Sequence, residues 1–202
     1  MDVTPDTEYK VACFIRSASD AKLRVRLGLS VLGADKNPVF FSGVNPIKNT
    51  ETALVAPVKP GQNFIIVKDA SKWLPKRASR IVYDVDPSGQ LRDIPNNSYL
   101  GNRVISIVPH EGNFKITFSG KAGIELPAGH FVRQHADGRR AILGPPTTVS
   151  NEWKKYEFII VKGISPDART SNKLFPGVAK ISPLLVVPGA INIKEFKLEK
   201  IK

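Results

Sequence analysis

The sequence predicts an all-β fold, either a sandwich or a barrel. Three observations carry that expectation. Apolar residues recur at every second position in many short segments. The 15 glycines and 16 prolines fall at turn-like intervals between those segments. No stretch repeats apolar residues at i, i+3, i+4 and i+7 over ten positions without meeting a proline, so no helix is expected.

Tyr9–Ile15 opens the pattern, with Tyr9, Val11, Cys13 and Ile15 on one face. Lys22–Leu29 is cleaner: Leu23, Val25, Leu27 and Leu29 point one way, and Lys22, Arg24, Arg26 and Gly28 the other. Further strands are expected at 64–68, 80–85, 104–108, 114–119, 154–161, 178–187 and 191–201. Turn chemistry separates them at Asp35-Lys36-Asn37-Pro38, Pro60-Gly61, Asp86-Pro87-Ser88-Gly89, Glu111-Gly112-Asn113, Asp137-Gly138 and Pro188-Gly189. Asp167 also reads as a turn former, and Glu195 and Glu199 read as residues of solvated strand faces.

With 202 residues, 42% hydrophobic, the chain can bury a core without disulfide or metal. Its single cysteine, Cys13, falls on an alternating apolar run and reads as a small buried hydrophobe. No apolar stretch is long enough to span a bilayer, so membrane insertion is not expected. Met1-Asp2-Val3-Thr4-Pro5 lacks the basic and apolar regions of a signal peptide. Two origins fit: a protein used without export, or a domain of a larger exported protein, the second being preferred. Formal net charge is +12, divided almost evenly between residues 45–136 and the rest. Spread in this way, the charge suits attraction to polyanions in general rather than a nucleic-acid-binding tail.

The chain reads as two units. The outer comprises 1–44 and 137–202, and the inner 45–136. Here a family resemblance enters. Tyr9-Lys10-Val11-Ala12-Cys13-Phe14-Ile15-Arg16, then Leu23–Val31 and Asp35-Lys36-Asn37, resemble the opening of jelly-roll, galactose-binding-like carbohydrate-binding modules. Glu152-Trp153-Lys154-Lys155-Tyr156-Glu157-Phe158 resembles one of their later strands, and Ile191–Glu199 their closing strand. The segment from Thr52 to Trp73, with Val104–Pro109, Phe114–Phe118 and Pro127–Val132, is similar to small β-barrel units of phage tail and polysaccharide-acting proteins. The resemblance implies a jelly-roll β-sandwich interrupted by a small inserted β-barrel-like domain. It places Trp153 in the sandwich core. Trp73 reads as the core of the inserted unit. Those families often carry structural calcium, but Asn192 and Lys194 stand where the closing strand would supply an acid, so no calcium is expected. Their first strand, upstream of Tyr9, is missing or very short.

Catalytic signatures are missing. His110, His130 and His135 form no zinc spacing, and no nucleophile elbow or phosphate loop occurs. A lyase-like set of Tyr83, Tyr99, His135 and Arg133 is conceivable, without the segments that accompany such sites. Binding features are stronger. The stripe Lys22, Arg24, Arg26, which Arg16 would extend across the sheet, is either a solvated outer face or a contact for an anionic ligand. Tyr99, in the loop Asn96-Asn97-Ser98-Tyr99, is the aromatic expected to be exposed. Arg133, His135, Arg139 and Arg140 form a second basic cluster where insert and sandwich meet. The resulting expectation is a non-catalytic carbohydrate-binding module without cofactor, its ligand an anionic polysaccharide, working outside the cell or at its surface in a polysaccharide-degrading system. The alternative is a structural or adhesion module of a phage particle or cell surface, with neighbouring domains or virion proteins as partners. Nucleic acid is disfavoured because interleaved stacking aromatics are lacking.

Overall fold

A computed structural model describes residues 1–75, 78–138, 141–165 and 172–201. Arg139 and Arg140 of the second cluster, and the turn residue Asp167, lie outside the described residues. In chain order the elements are β1 (Tyr9–Ser17), β2 (Leu23–Leu32), α1 (Phe41–Val44), β3 (Thr52–Ala53), β4 (Phe64–Val67), β5 (Ser79–Tyr83), β6 (Tyr99–Leu100) and β7 (Val104–His110). There follow β8 (Asn113–Phe118), β9 (Phe131–Ala136), β10 (Ile142–Leu143), β11 (Thr147–Val149), β12 (Lys154–Ile160), β13 (Lys180–Val186) and β14 (Ile191–Lys200). The fold is all-β, and every pairing between these strands is antiparallel. Among the described residues the one helical element is a single turn, too short to leave a periodic signal in sequence. The chain divides into two compact units, Met1–Val39 with Arg139–Lys202, and Phe40–Gly138.

The outer unit is a sandwich. One sheet has the order β12-β1-β14. The other is built around β2, with β13 along one edge and β10 then β11 along the opposite one. Alternation decides which side chains meet between the sheets: Tyr9, Val11, Cys13 and Ile15 from β1 and Val25, Leu27, Leu29 and Val31 from β2 are all buried. Burial pushes the Cys13 thiol up to about 11, so it stays protonated at neutral pH. Strand β14 leaves a free edge among the described residues. A bulge opposite Cys13, with Glu195 in the left-handed region at φ 52°, bends that edge, and Lys194, Lys197 and Lys200 charge it.

The inner unit contains the sheets β3-β9-β5-β6 and β4-β8-β7. They are stitched together where Val55 N–H donates to the Ile66 carbonyl and Lys68 N–H to that of Ala53. Hairpin β7–β8 turns through Glu111 and Gly112, both at positive φ (47° and 73°), the geometry whose twist matches a two-residue hairpin. Between the sheets lies an apolar core that includes Leu54, Ile65, Ile81, Ile116, Phe118 and the buried Trp73. At the base of the unit its own ends are zipped together: Ile47 N–H donates to the Gln134 carbonyl at 2.8 Å, and Ala136 N–H to that of Asn45 at 2.9 Å.

Strand β9 is a strand that alternation does not reveal. Val132, Gln134 and Ala136 face the apolar core side, while Arg133 and His135 face the other, and all five are buried. Helix α1 and the 84–98 loop supply the contacts on that second face.

Candidate functional site

On the outward side of β2, Arg24 and Arg26 form the floor of a groove of about 340 Å³. Its walls are Pro146, from the irregular step between β10 and β11, and Val186, Val187 and Pro188 at the end of β13. Among the described residues no acidic side chain lines the groove and neither arginine has a carboxylate partner. Both guanidiniums are therefore free to take an anion. Lys22 is exposed but precedes β2 and does not line the groove.

The stripe stops at Gly28 for a steric reason. A Cβ there would overlap the carbonyl oxygen of Ile142, because β10, paired alongside β2, approaches closely at this position. Gly28→Ala is expected to lower stability by about 2 kcal/mol or more, seen as a lower urea midpoint at unchanged slope. The stripe also does not extend to Arg16. That residue lies on β1, in the other sheet of the sandwich, where its guanidinium sits 5.0 Å from the centre of the Trp153 ring.

The structure removes Arg133 and His135 from the surface. Arg133 is fully buried; its Nη2 donates to Asp93 Oδ2 at 2.6 Å, its Nε donates to His135 Nε2 at 2.9 Å, and Glu51 lies 3.6 Å from Nη1. Because an arginine nitrogen only donates, His135 Nε2 must accept, and Nδ1–H donates to the Ser42 carbonyl at 2.6 Å. Both ring nitrogens are thus occupied. Burial, followed by the Arg133 charge, lowers the His135 pKa to about 4, so the ring is neutral at physiological pH. The reason sequence placed these residues on a surface is their type: arginine is rarely buried unless paired, and its partner Asp93 is distant along the chain.

Tyr99 belongs to the same polar layer and is half-buried rather than exposed. Its hydroxyl donates to Asn97 Oδ1 at 2.9 Å, so the Ser42 hydroxyl, also at 2.9 Å, donates to it. Arg80 stacks over the ring at 5.0 Å, and burial raises the phenol pKa.

Trp153, expected in the core, is 39% exposed. It directly precedes β12, in line with the outward-facing residues of that strand, so its ring lies on the outer face of the sheet β12-β1-β14. Lys194 of β14 approaches the same ring at 4.6 Å. Its side is set by register: β12 pairs with β1 so that Trp153 shares the outward parity of Lys155 and Glu157. Among the described residues no group of three or more His, Cys, Asp or Glu side chains is placed to hold a metal ion. The chain matches no protein-family model, no curated protein and no solved structure.

Proposed function

We propose that this chain is a non-catalytic module that binds an acidic polysaccharide through the groove above β2, in the service of a polysaccharide-degrading system outside the cell. The observation that carries the reading is the pairing of two unpartnered arginines with aliphatic and proline walls in one groove. A uronate or sulfated sugar needs both kinds of contact. Its anionic group takes charge-assisted hydrogen bonds from guanidinium, and the C–H surface of its ring packs on valine and proline. The overall charge of +12 adds long-range attraction to such a chain.

Affinity electrophoresis tests the proposal. The protein is run through gels containing polygalacturonate, alginate, a neutral glycan or single-stranded DNA, at low and moderate salt. Retardation by one acidic glycan persisting at moderate salt is expected. Arg24→Ser with Arg26→Ser should weaken it by at least about ten-fold, as the loss of one or two charged hydrogen bonds requires. Equal retardation by every polyanion, vanishing with salt, would leave only non-specific charge attraction and refute the reading.

A structural or adhesion role on a phage particle or cell surface is the second reading, and one observation favours it. The end of β13 exposes Val186 (45%) and Val187 (37%), and β14, in the other sheet, exposes Ile193 (42%) and Phe196 (37%), apolar surface of the kind that protein contacts cover.

A further inference from the structure

We infer a second site for an anionic sugar residue on the opposite sheet of the outer unit, formed by Trp153, Arg16 and Lys194. For the class of ligand, the inference rests on the acidic-polysaccharide reading. Its location rests on separate residues. Arg16 pairs with Asn192, and Phe14 pairs with both Lys155 and Lys194, so the outward side chains of β12, β1 and β14 meet at this end of the sheet. The Arg16 guanidinium lies 5.0 Å and the Lys194 ammonium 4.6 Å from the centre of the Trp153 ring. Lys194 also lies 5.4 Å from the Phe14 ring.

Charge pairing distinguishes this end from the rest of the same face. Lys10 is bound to Glu199 at 3.1 Å and Lys155 to Glu157 at 2.8 Å. Arg16 and Lys194 have no carboxylate partner among the described residues: Glu152 beside Trp153 and Glu195 beside Lys194 pair with neither, and Asp20, four residues from Arg16, accepts instead from the Asn151 amide at 2.7 Å. The Arg16 Nε is moreover buried without a hydrogen-bond partner. Two cations without a carboxylate partner among the described residues thus sit over an aromatic ring that is still partly exposed. Cation–π contact alone satisfies the ring, not the charges. A pyranose bearing a carboxylate satisfies both, its anion between the two cations and its C–H surface against the indole. With the groove above β2 on the other sheet, the sandwich would carry two sugar sites back to back and could link two polysaccharide strands.

Intrinsic fluorescence reads this site directly. Trp73, the other tryptophan, is buried in the inner unit, its indole N–H donating to the Thr50 carbonyl at 2.8 Å. Trp153 is therefore the emitter a ligand can touch. Titration with tetragalacturonate is expected to give a saturable emission change that survives in Arg24→Ser/Arg26→Ser. In Lys194→Ser, a fully surface replacement, and in Arg16→Ser the apparent affinity should fall about ten-fold, while gel retardation through the groove persists. Retardation without any emission change overturns the second site and leaves the proposed function standing. An emission change that disappears in Arg24→Ser/Arg26→Ser overturns it also, since one site would then explain both signals. An equal change with sodium sulfate overturns the sugar assignment. Neither retardation nor emission change overturns both proposals.

Discussion

Asp93→Ala is expected to destabilise the inner unit by about 3–5 kcal/mol, because it strands a fully buried guanidinium. Asp93 is the closest anion to Arg133, at 2.6 Å, whereas Glu51 lies 3.6 Å away and is partly solvated. The replacement also removes one of three acceptors of the Asn96 amide, which donates to Asp93 at 3.1 Å and to the Tyr83 and Asp84 carbonyls. Removing the charges together should be far milder, since two well-packed apolar side chains avoid the desolvation that an unpaired ion suffers. Arg133→Met with Asp93→Leu is therefore expected to recover most of the loss. Urea unfolding of the three proteins decides the matter. A loss below about 1 kcal/mol in Asp93→Ala would mean that Arg133 reaches water or another anion on relaxation.

Acid is expected to weaken the same layer through His135. In the folded state the ring takes its proton only near pH 4, whereas the ordinary value is 6.5. Between those values the unfolded chain holds more protons, so stability falls as the pH drops through this window and is complete above it. The full loss approaches about 3 kcal/mol, at roughly 1.4 kcal/mol per pH unit. The structural reason is that a proton on Nε2 would face the Arg133 Nε–H, donor against donor and charge against charge, with Asp93 the nearest compensating acid. Denaturation midpoints measured from pH 7 to pH 4 should decline in the native protein and decline less in His135→Gln. Parallel curves would assign the acid sensitivity to other groups.

The parts of this fold that were legible in sequence are those with one wet face. On β2, buried Val25, Leu27 and Leu29 alternate with outward Arg24 and Arg26, and both the strand and the groove floor follow from that pattern. Strand β9 has no wet face, so Arg133-Gln134-His135 reads as a surface run although all three are buried. What makes them buriable is a carboxylate forty residues upstream and a backbone carbonyl in a four-residue helix, neither of which is written in the local pattern. Trp153 errs in the opposite direction. Its neighbours resemble a core strand, but the parity of β12 relative to β1 turns it outward, and parity depends on register, which composition does not state. The groove walls were also illegible, because Pro146 and Val186 to Pro188 approach Arg24 and Arg26 only after β11 and β13 pair with β2.

The zipped base of the inner unit bears on the order in which the chain acquires its structure. The outer sandwich must bring β1 and β2 to strands that follow the whole of the inner unit, and closing a disordered loop of roughly a hundred residues costs about 4 kcal/mol in chain entropy. Once the hydrogen bonds of Asn45 and Ile47 with Ala136 and Gln134 have formed, the ends of that loop are already side by side, and most of this entropy has been surrendered. The inner unit, whose strands come from one continuous stretch, therefore acts as a clasp for the outer one. A lesion such as Asp93→Ala, which loosens the clasp, should slow the assembly of a sandwich whose own residues are untouched.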